Sequence, residues 1–161
     1  MSSMRWDGRQ LGRRALLRGF LALGAFAVAV SATSPVGAGG SDADLELVLL
    51  HGTKADKESI PEGYPELKSP PWDAYNSYVI LITKKLALVK GAVVKESLPD
   101  GSTLETTLLE TTPKYKLEVL VRDGKGVQLS KGTYGAPKGK RFLPAKTPYK
   151  GGGLVVSLKV L

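Results

Sequence analysis

The chain has 161 residues, of which 23 are lysine or arginine and 15 are aspartate or glutamate, giving a formal net charge of +8. It contains no cysteine and a single histidine, His51. This composition excludes disulfides and any zinc site built from thiolates or several imidazoles, and we expect no cofactor.

The first 40 residues have the composition of an export signal. Five arginines and one acid precede an apolar run over residues 20–30. This run has eleven residues, whereas a membrane-spanning helix needs about 20, so we expect no permanent membrane span. Cleavage after Ala32 or Ala38 fits the small-residue sites that signal peptidases require.

A more specific motif, built around the pair Arg13 and Arg14, lies inside this leader. The stretch Gly12-Arg13-Arg14-Ala15-Leu16-Leu17-Arg18 resembles a twin-arginine export signal. The resemblance implies recognition by the export machinery and a periplasmic or secreted location. Gly12 and Leu16 stand where that pattern usually has a hydroxyl residue and a phenylalanine, so a general secretory leader is the alternative.

Removing the signal peptide and cleavage region, residues 1–40, leaves residues 41–161, which is the size of one domain. Charge is unevenly distributed along this domain. No aspartate or glutamate follows Asp123, whereas eight lysines and arginines do. Such a field attracts anionic polymers, although basic residues that only contact solvent produce the same composition.

The apolar patterning of the domain is that of β-strands. Residues 77–83 are apolar on both faces and rich in β-branched side chains, which predicts a central strand. Residues 115–122 and 154–161 alternate, which predicts strands with one face in the core. The predicted strands are 45–50, 77–83, 86–96 with an interruption at Gly91, 103–111, 115–122, 127–134 and 154–161. We therefore predict an all-β fold, a single antiparallel β-sandwich of about seven strands that is immunoglobulin-like or a related Greek key.

Two segments interrupt the strand pattern. Residues 52–76 contain four prolines, and residues 135–153 contain three. Loops longer than about 12–15 residues are uncommon inside compact domains and often carry function. We therefore expect the functional surface on these two segments.

Aromatic and basic side chains are concentrated in these segments. Aromatic rings on a proline-rich loop provide stacking platforms for sugars or anchors for a protein partner. Packing of Trp72 and Tyr75 as a plug that seals the core is the alternative. The predicted contact surface consists of Tyr64, Trp72 and Tyr75 with Lys138, Lys140, Arg141, Phe142, Lys146, Tyr149 and Lys150.

The domain has no recognisable catalytic motif. His51 is the only candidate histidine base, and no serine lies in a nucleophile-elbow turn. Residues 132–141 lack the spacing of a phosphate-binding loop, and nothing indicates a specific nucleic-acid site. We therefore predict a protein that is not an enzyme, with a hydrolase as the least favoured alternative.

Two short motifs carry a resemblance to other proteins. Pro70-Pro71-Trp72-Asp73-Ala74-Tyr75-Asn76-Ser77-Tyr78 and Gly151-Gly152-Gly153-Leu154-Val155-Val156 look like segments of small exported β-rich proteins that have no assigned function. The resemblance supports the β-rich fold, and it implies no activity and no site residue.

Two hypotheses about function follow from these patterns. The leading one is an exported protein that binds an anionic polysaccharide, a glycan or an envelope protein through the predicted contact surface. The alternative is a structural envelope subunit that assembles by pairing strand edges, with the apolar last strand, 154–161, as the candidate edge.

Overall fold

The computed structural model of the chain describes residues 40–161, which form eight strands in two antiparallel sheets. The strands are β1 Ala43–Thr53, β2 Ser77–Leu88, β3 Val93–Ser97, β4 Thr103–Glu110, β5 Tyr115–Arg122, β6 Gln128–Ala136, β7 Arg141–Tyr149 and β8 Gly152–Val160. Sheet A has the order β2-β1-β8-β7, and sheet B has the order β3-β4-β5-β6. The one helix in this range is a four-residue 3-10 helix, Pro65–Lys68.

The all-β prediction is confirmed for the described residues, whereas the predicted leader with Arg13 and Arg14 lies outside them. No helix within residues 40–161 has both the length and the apolar character needed to cross a membrane.

The hydrophobic core lies between the facing sides of the two sheets. The alternation predicted for β5 and β8 is confirmed, because every second side chain of each strand is buried there. Burial of each leucine or valine contributes about 1.5–3 kcal/mol. The inward side chains of these two strands are Leu117, Val119 and Val121 of β5 and Leu154, Val156, Leu158 and Val160 of β8.

The strand order corrects the expected topology. Every hydrogen-bonded pair of neighbours joins strands that are consecutive in the chain, except the pair β1 and β8, which lie side by side in the middle of sheet A. This is an up-and-down order, and it differs from the immunoglobulin-like or Greek-key order that we expected. The spacing of turns along the sequence predicts how many strands form, and it does not predict which strands pair.

Two strand assignments also need correction. Residues 77–83 belong to β2, which is an edge strand with β1 as its one neighbouring strand in sheet A, and not a central strand. The predicted strand 86–96 is divided between the sheets, since β2 ends at Leu88 and β3 begins at Val93. Gly91, with a φ of +79°, turns the chain between them, a conformation that favours glycine.

The strand that the sequence pattern missed is β7, which lies inside the predicted loop 135–153. Its residues Pro144 and Pro148 argue against a strand because proline cannot donate to a ladder. The position of β7 at the edge of sheet A explains why both prolines are tolerated, since one side of an edge strand makes no ladder bonds.

Sheet A is buried on its outer face as well. Val48 and Leu50 of β1 and Val155 of β8 point away from the main core and form a second apolar cluster. The residues that cover them come from the long connection between β1 and β2. The central strands of sheet A are therefore buried on both faces.

Asp100, in the turn between β3 and β4, connects the two sheets. One of its carboxylate oxygens accepts hydrogen bonds from the backbone N–H and the hydroxyl of Ser102, and the other accepts the Thr147 hydroxyl of β7 at 2.5 Å. Burial tends to raise the pKa of this carboxyl group, but the hydrogen bonds from Ser102 and Thr147 outweigh burial, and the net pKa is lowered.

We expect Asp100→Asn to lower the free energy of unfolding by about 1.5–3 kcal/mol at neutral pH, because hydrogen bonds to a charged acceptor are lost. Since the pKa of Asp100 is lowered in the folded state, its contribution is present above the unfolded pKa of about 3.9 and is lost as the pH falls below it. Urea denaturation at pH 7 and pH 3 should show the difference between wild type and variant narrowing in acid.

Asp123→Asn is the matched control for this prediction. Asp123 accepts the backbone N–H groups of Lys125 and Val127, both at 2.8 Å, so it stabilises the turn between β5 and β6 without a bond to the other sheet. An equal loss of stability in both variants would contradict a role for Asp100 in connecting the sheets.

Candidate functional site

The connection between β1 and β2, residues 54–76, packs on the outer face of sheet A, and we call it the proline-rich loop. Its side chains Tyr64 and Leu67 are fully buried, and Trp72 and Tyr75 are partly buried against the second apolar cluster. The rings of Trp72 and Tyr75 therefore cover a sheet face, whereas the plug interpretation placed them at the end of the core.

Polar contacts fix this loop to the sheet. The Tyr78 hydroxyl donates a hydrogen bond to the carbonyl of Trp72, and the Lys146 ammonium donates to the carbonyl of Pro71 at 3.0 Å. The Lys146 nitrogen also lies 5.6 Å from the ring centre of Tyr75 and 6.0 Å from that of Trp72. One cation of β7 thus contacts both the backbone and the rings of the loop.

Glycines in the strands below create the space for Tyr75. A Cβ atom at Gly153 would lie 2.6 Å from the Tyr75 ring, and one at Gly52 would lie 2.8 Å from it. The two backbones of β1 and β8 therefore form a floor on which the ring rests. This contact explains why the glycine-rich start of β8 has glycine at position 153.

A groove of about 620 Å³ lies between the proline-rich loop and the start of β7. This volume is within the range of small-molecule sites. The lining contains one indole, three cations and one carboxylate. The lining residues are Gly63, Pro65, Glu66, Trp72, Gly139, Lys140, Arg141, Phe142, Leu143 and Lys159.

Arg141 connects the loop to the sheet at this groove. Its guanidinium carbon lies 3.9 Å from the centre of the Tyr64 ring, which is a cation–π contact. The guanidinium also donates to the carbonyl of Gly63 and lies 3.7 Å from a carboxylate oxygen of Glu46. The side chain is therefore held in one orientation without a ligand.

The groove carries a net positive charge. The Glu46 carboxylate lies 2.9 Å from the Lys159 ammonium and is shared with Arg141. Lys140 is exposed and has no carboxylate partner within residues 40–161. With Glu66 as the carboxylate in the lining, three cations face two acids.

The structure brings together part of the predicted contact surface. Seven of its members lie on the proline-rich loop, on β7 or in the turn before it, in contact with one another or with the same groove. These are Tyr64, Trp72, Tyr75, Lys140, Arg141, Phe142 and Lys146.

The rings of Phe142 and Tyr149 serve the core. Phe142 stacks on Tyr134 with ring centres 5.1 Å apart, although it borders the groove, and Tyr149 meets the His51 ring edge-on at 5.1 Å. A register irregularity between Phe142 and Ala145 explains why both rings face the core, because Phe142 and Tyr149 are seven positions apart and regular alternation would place them on opposite faces.

Two predicted cations lie in turns and are not among the residues that line the groove. Lys150 is in the turn between β7 and β8, with its nitrogen 5.2 Å from the centre of the Tyr149 ring. Lys138 is exposed in the turn before β7. The pKa of Asp44 is lowered mainly by its hydrogen bond with Lys85, and the charge of Lys138 also contributes.

Sequence reasoning missed Lys159 and Glu66 as groove residues. The expectation that the last strand, 154–161, forms a sheet edge is wrong, because β8 lies between β1 and β7. The sequence does contain a signal that the outer face of sheet A is covered. The apolar residues Val48, Leu50 and Val155 occupy the outward positions of their strands, and strands that are apolar on both faces are covered on both faces.

The sole histidine has a structural environment. The His51 Nε2 atom lies 3.2 Å from the carbonyl oxygen of Tyr149, and its ring contacts the Tyr149 ring. Within residues 40–161, no group of three or more histidine, cysteine, aspartate or glutamate side chains is arranged to hold a metal ion.

Comparison with known proteins gives no relative for this chain, since no protein-family model, no characterised protein and no solved structure matches it.

We expect Gly153→Ala to lower the free energy of unfolding by about 1–3 kcal/mol, because the new methyl group would collide with the Tyr75 ring. The same change at Gly135, where a Cβ meets nothing within 4 Å, is the control and should have little effect. Thermal unfolding followed by circular dichroism measures both. Equal stability of the two variants would contradict the proposed role of the glycine floor.

Proposed function

We propose that this chain is an exported binding protein without enzymatic activity, and that the groove beside Trp72 binds an anionic glycan of the cell envelope. The observation that carries the proposal is the position of a partly exposed indole beside three cations, Lys140, Arg141 and Lys159, in a single groove.

The chemistry of these side chains favours a sugar that bears acidic groups. An indole face provides a flat apolar surface on which a sugar ring stacks. Guanidinium and ammonium groups form charge-assisted hydrogen bonds with carboxylate or sulfate oxygens. A neutral glycan would use only the first of these interactions, and a simple anion would use only the second.

The packing of the groove also supports binding. Lys146 and Arg141 fix the proline-rich loop to the sheet through the carbonyls of Pro71 and Gly63. Trp72 itself packs against the second apolar cluster. Because these groups are ordered before a ligand arrives, binding loses less conformational entropy than it would on a free loop.

Tryptophan fluorescence tests this proposal in the full chain. Trp6 is first replaced by phenylalanine, so that Trp72 is the only tryptophan. We expect dextran sulfate to shift the Trp72 emission and neutral dextran to leave it unchanged. The affinity should fall roughly threefold or more between 50 and 200 mM salt, because salt screens surface charges.

Two lysine variants distinguish binding in the groove from binding to general surface charge. Lys140→Gln should weaken dextran sulfate binding about two- to fivefold, which corresponds to one exposed charge contact. Lys125→Gln removes the same charge from the turn between β5 and β6 and should leave binding unchanged. Equal effects of the two changes, or no emission shift with dextran sulfate, would contradict the proposed site.

The proposed periplasmic or secreted location rests on the leader, which resembles a twin-arginine signal at Arg13 and Arg14. In that pathway the arginine pair is recognised as such, whereas a general secretory leader requires positive charge near its start. The two pathways therefore respond differently to a substitution that keeps the charge.

Replacing both Arg13 and Arg14 with lysine should block export of the full chain and cause the uncleaved form to accumulate inside the cell. Fractionation of a bacterial host, followed by immunoblotting, measures the exported share. Replacing Arg5 and Arg9 with lysine is the control and should leave export intact. Normal export of the Arg13 and Arg14 variant would assign the leader to the general pathway.

A further inference from the structure

The free edge of β2 is the largest unused feature of the described residues. Four consecutive apolar side chains in the middle of this edge strand are solvent-exposed. Their exposed fractions are 59% for Val79, 44% for Ile80, 39% for Leu81 and 40% for Ile82. Exposed apolar edge strands are rare in proteins that remain monomeric, because they are templates for pairing with another strand.

The backbone of this edge is available over a defined length. On one side β2 pairs with β1, with an irregularity at Leu81 that leaves this residue unpaired in the register. On the other side, within residues 40–161, backbone pairing is limited to its first residues. There Ser59 bridges to Ser77 and accepts the N–H of Tyr78 at 2.7 Å. The free edge thus begins at Val79.

The other edge of sheet A is protected. Pro144 and Pro148 in β7 lack the N–H donors that an added strand would need. In β2, by contrast, the residues from Val79 to Lys84 include neither proline nor glycine. The run Val79-Ile80-Leu81-Ile82 has high β-propensity and no charge, which is the composition of self-pairing segments.

The charges that flank the run favour a second copy of the chain in antiparallel orientation. Lys84 and Lys85 follow the apolar residues after one threonine, Thr83. A parallel, in-register pair would place each lysine opposite its own copy, and like charges directly opposite destabilise a sheet. An antiparallel pair centred on Leu81 separates the two Lys84 residues by six positions, or about 20 Å along the strand.

In this register Lys84 and Lys85 of one copy come opposite the start of β2 in the other copy, where Ser59 caps the edge. The ammonium groups stay paired within their own copy, Lys84 with Glu96 at 2.7 Å and Lys85 with Asp44 at 2.8 Å. The antiparallel pair therefore places no lysine opposite another lysine and breaks neither ion pair.

We propose that two copies of this chain associate by antiparallel pairing of their β2 strands, with Leu81 on the two-fold axis and Val79 opposite Thr83. The contact comprises about five residues from each copy, which is smaller than the interface of a permanent dimer. The association is therefore weak and depends on concentration, and it does not rest on the proposed function of the groove.

The absence of cysteine makes the register directly measurable. Single cysteines are introduced into the full chain at Val79, Leu81 or Thr83, and disulfide formation is followed at about 100 μM under mild oxidation. Residues directly opposite in an antiparallel pair have Cβ atoms about 4.5–5.5 Å apart, which is near the distance that a disulfide requires.

We expect Leu81→Cys to form a homodimer at least tenfold faster than Val79→Cys or Thr83→Cys alone. A mixture of Val79→Cys and Thr83→Cys chains should form the mixed dimer rapidly. Val93→Cys, at the exposed edge of β3, is the control for random collision and should react slowly.

Each alternative gives a different pattern and overturns the proposal. Fast homodimers at all three positions mean parallel pairing. Rates equal to that of Val93→Cys mean that no self-pairing occurs at this edge, which leaves it to a different partner or to solvent. If the Leu81→Cys homodimer forms slowly while a mixed dimer of two other cysteine variants forms fast, the strands pair in a different register.

A charge placed on the axis is the second test. Leu81→Lys puts two ammonium groups opposite each other and should reduce mixed dimer formation between the Val79→Cys and Thr83→Cys chains at least tenfold. Leu129→Lys, at an exposed apolar position of β6, is the matched control. Circular dichroism confirms that each variant folds. Unchanged dimer formation with Leu81→Lys would overturn the proposal.

Discussion

The burial of sheet A on both faces is the constraint on which the rest of this structure depends. Val48, Leu50 and Val155 would be exposed on an ordinary half-buried sheet, and the proline-rich loop covers them. That cover determines where Trp72 lies, requires glycine at the floor beneath Tyr75, and gives Arg141 and Lys146 carbonyls to contact. The groove lies between the proline-rich loop and β7, so its position follows from the way this loop covers sheet A.

Local patterns predicted what local interactions determine. The alternation of β5 and β8 specified their inward side chains correctly, because side-chain direction follows the two-residue period of a strand. Pairing between strands is a tertiary property, so the order of the sheets and the edge position of β2 were not accessible. β7 was missed because Pro144 and Pro148 lack the N–H groups that a strand within a sheet needs as donors. Only the edge position of β7, which the sequence does not show, allows a strand to contain both prolines.

The candidate site shows the same division. Trp72, Lys140 and Arg141 were identified because they are concentrated in two unusual segments. Lys159 was not, since it belongs to a regular strand and reaches the groove only because β8 is central in sheet A. Sheet A therefore carries the cover, the groove and the free apolar edge, whereas sheet B supplies the opposite half of the core.

The pairing of β1 with β8 has a consequence for how the chain folds. These strands are neighbours in space although His51 and Leu154, which are paired, stand about 100 positions apart in sequence. The meander of sheet B uses short connections and can form early. Sheet A requires the closure of a long loop before its central pair is made, so high contact order makes its completion the slow step. Until then, the apolar residues of β1 are uncovered on both faces of the strand, and exposed apolar surface of this kind favours aggregation.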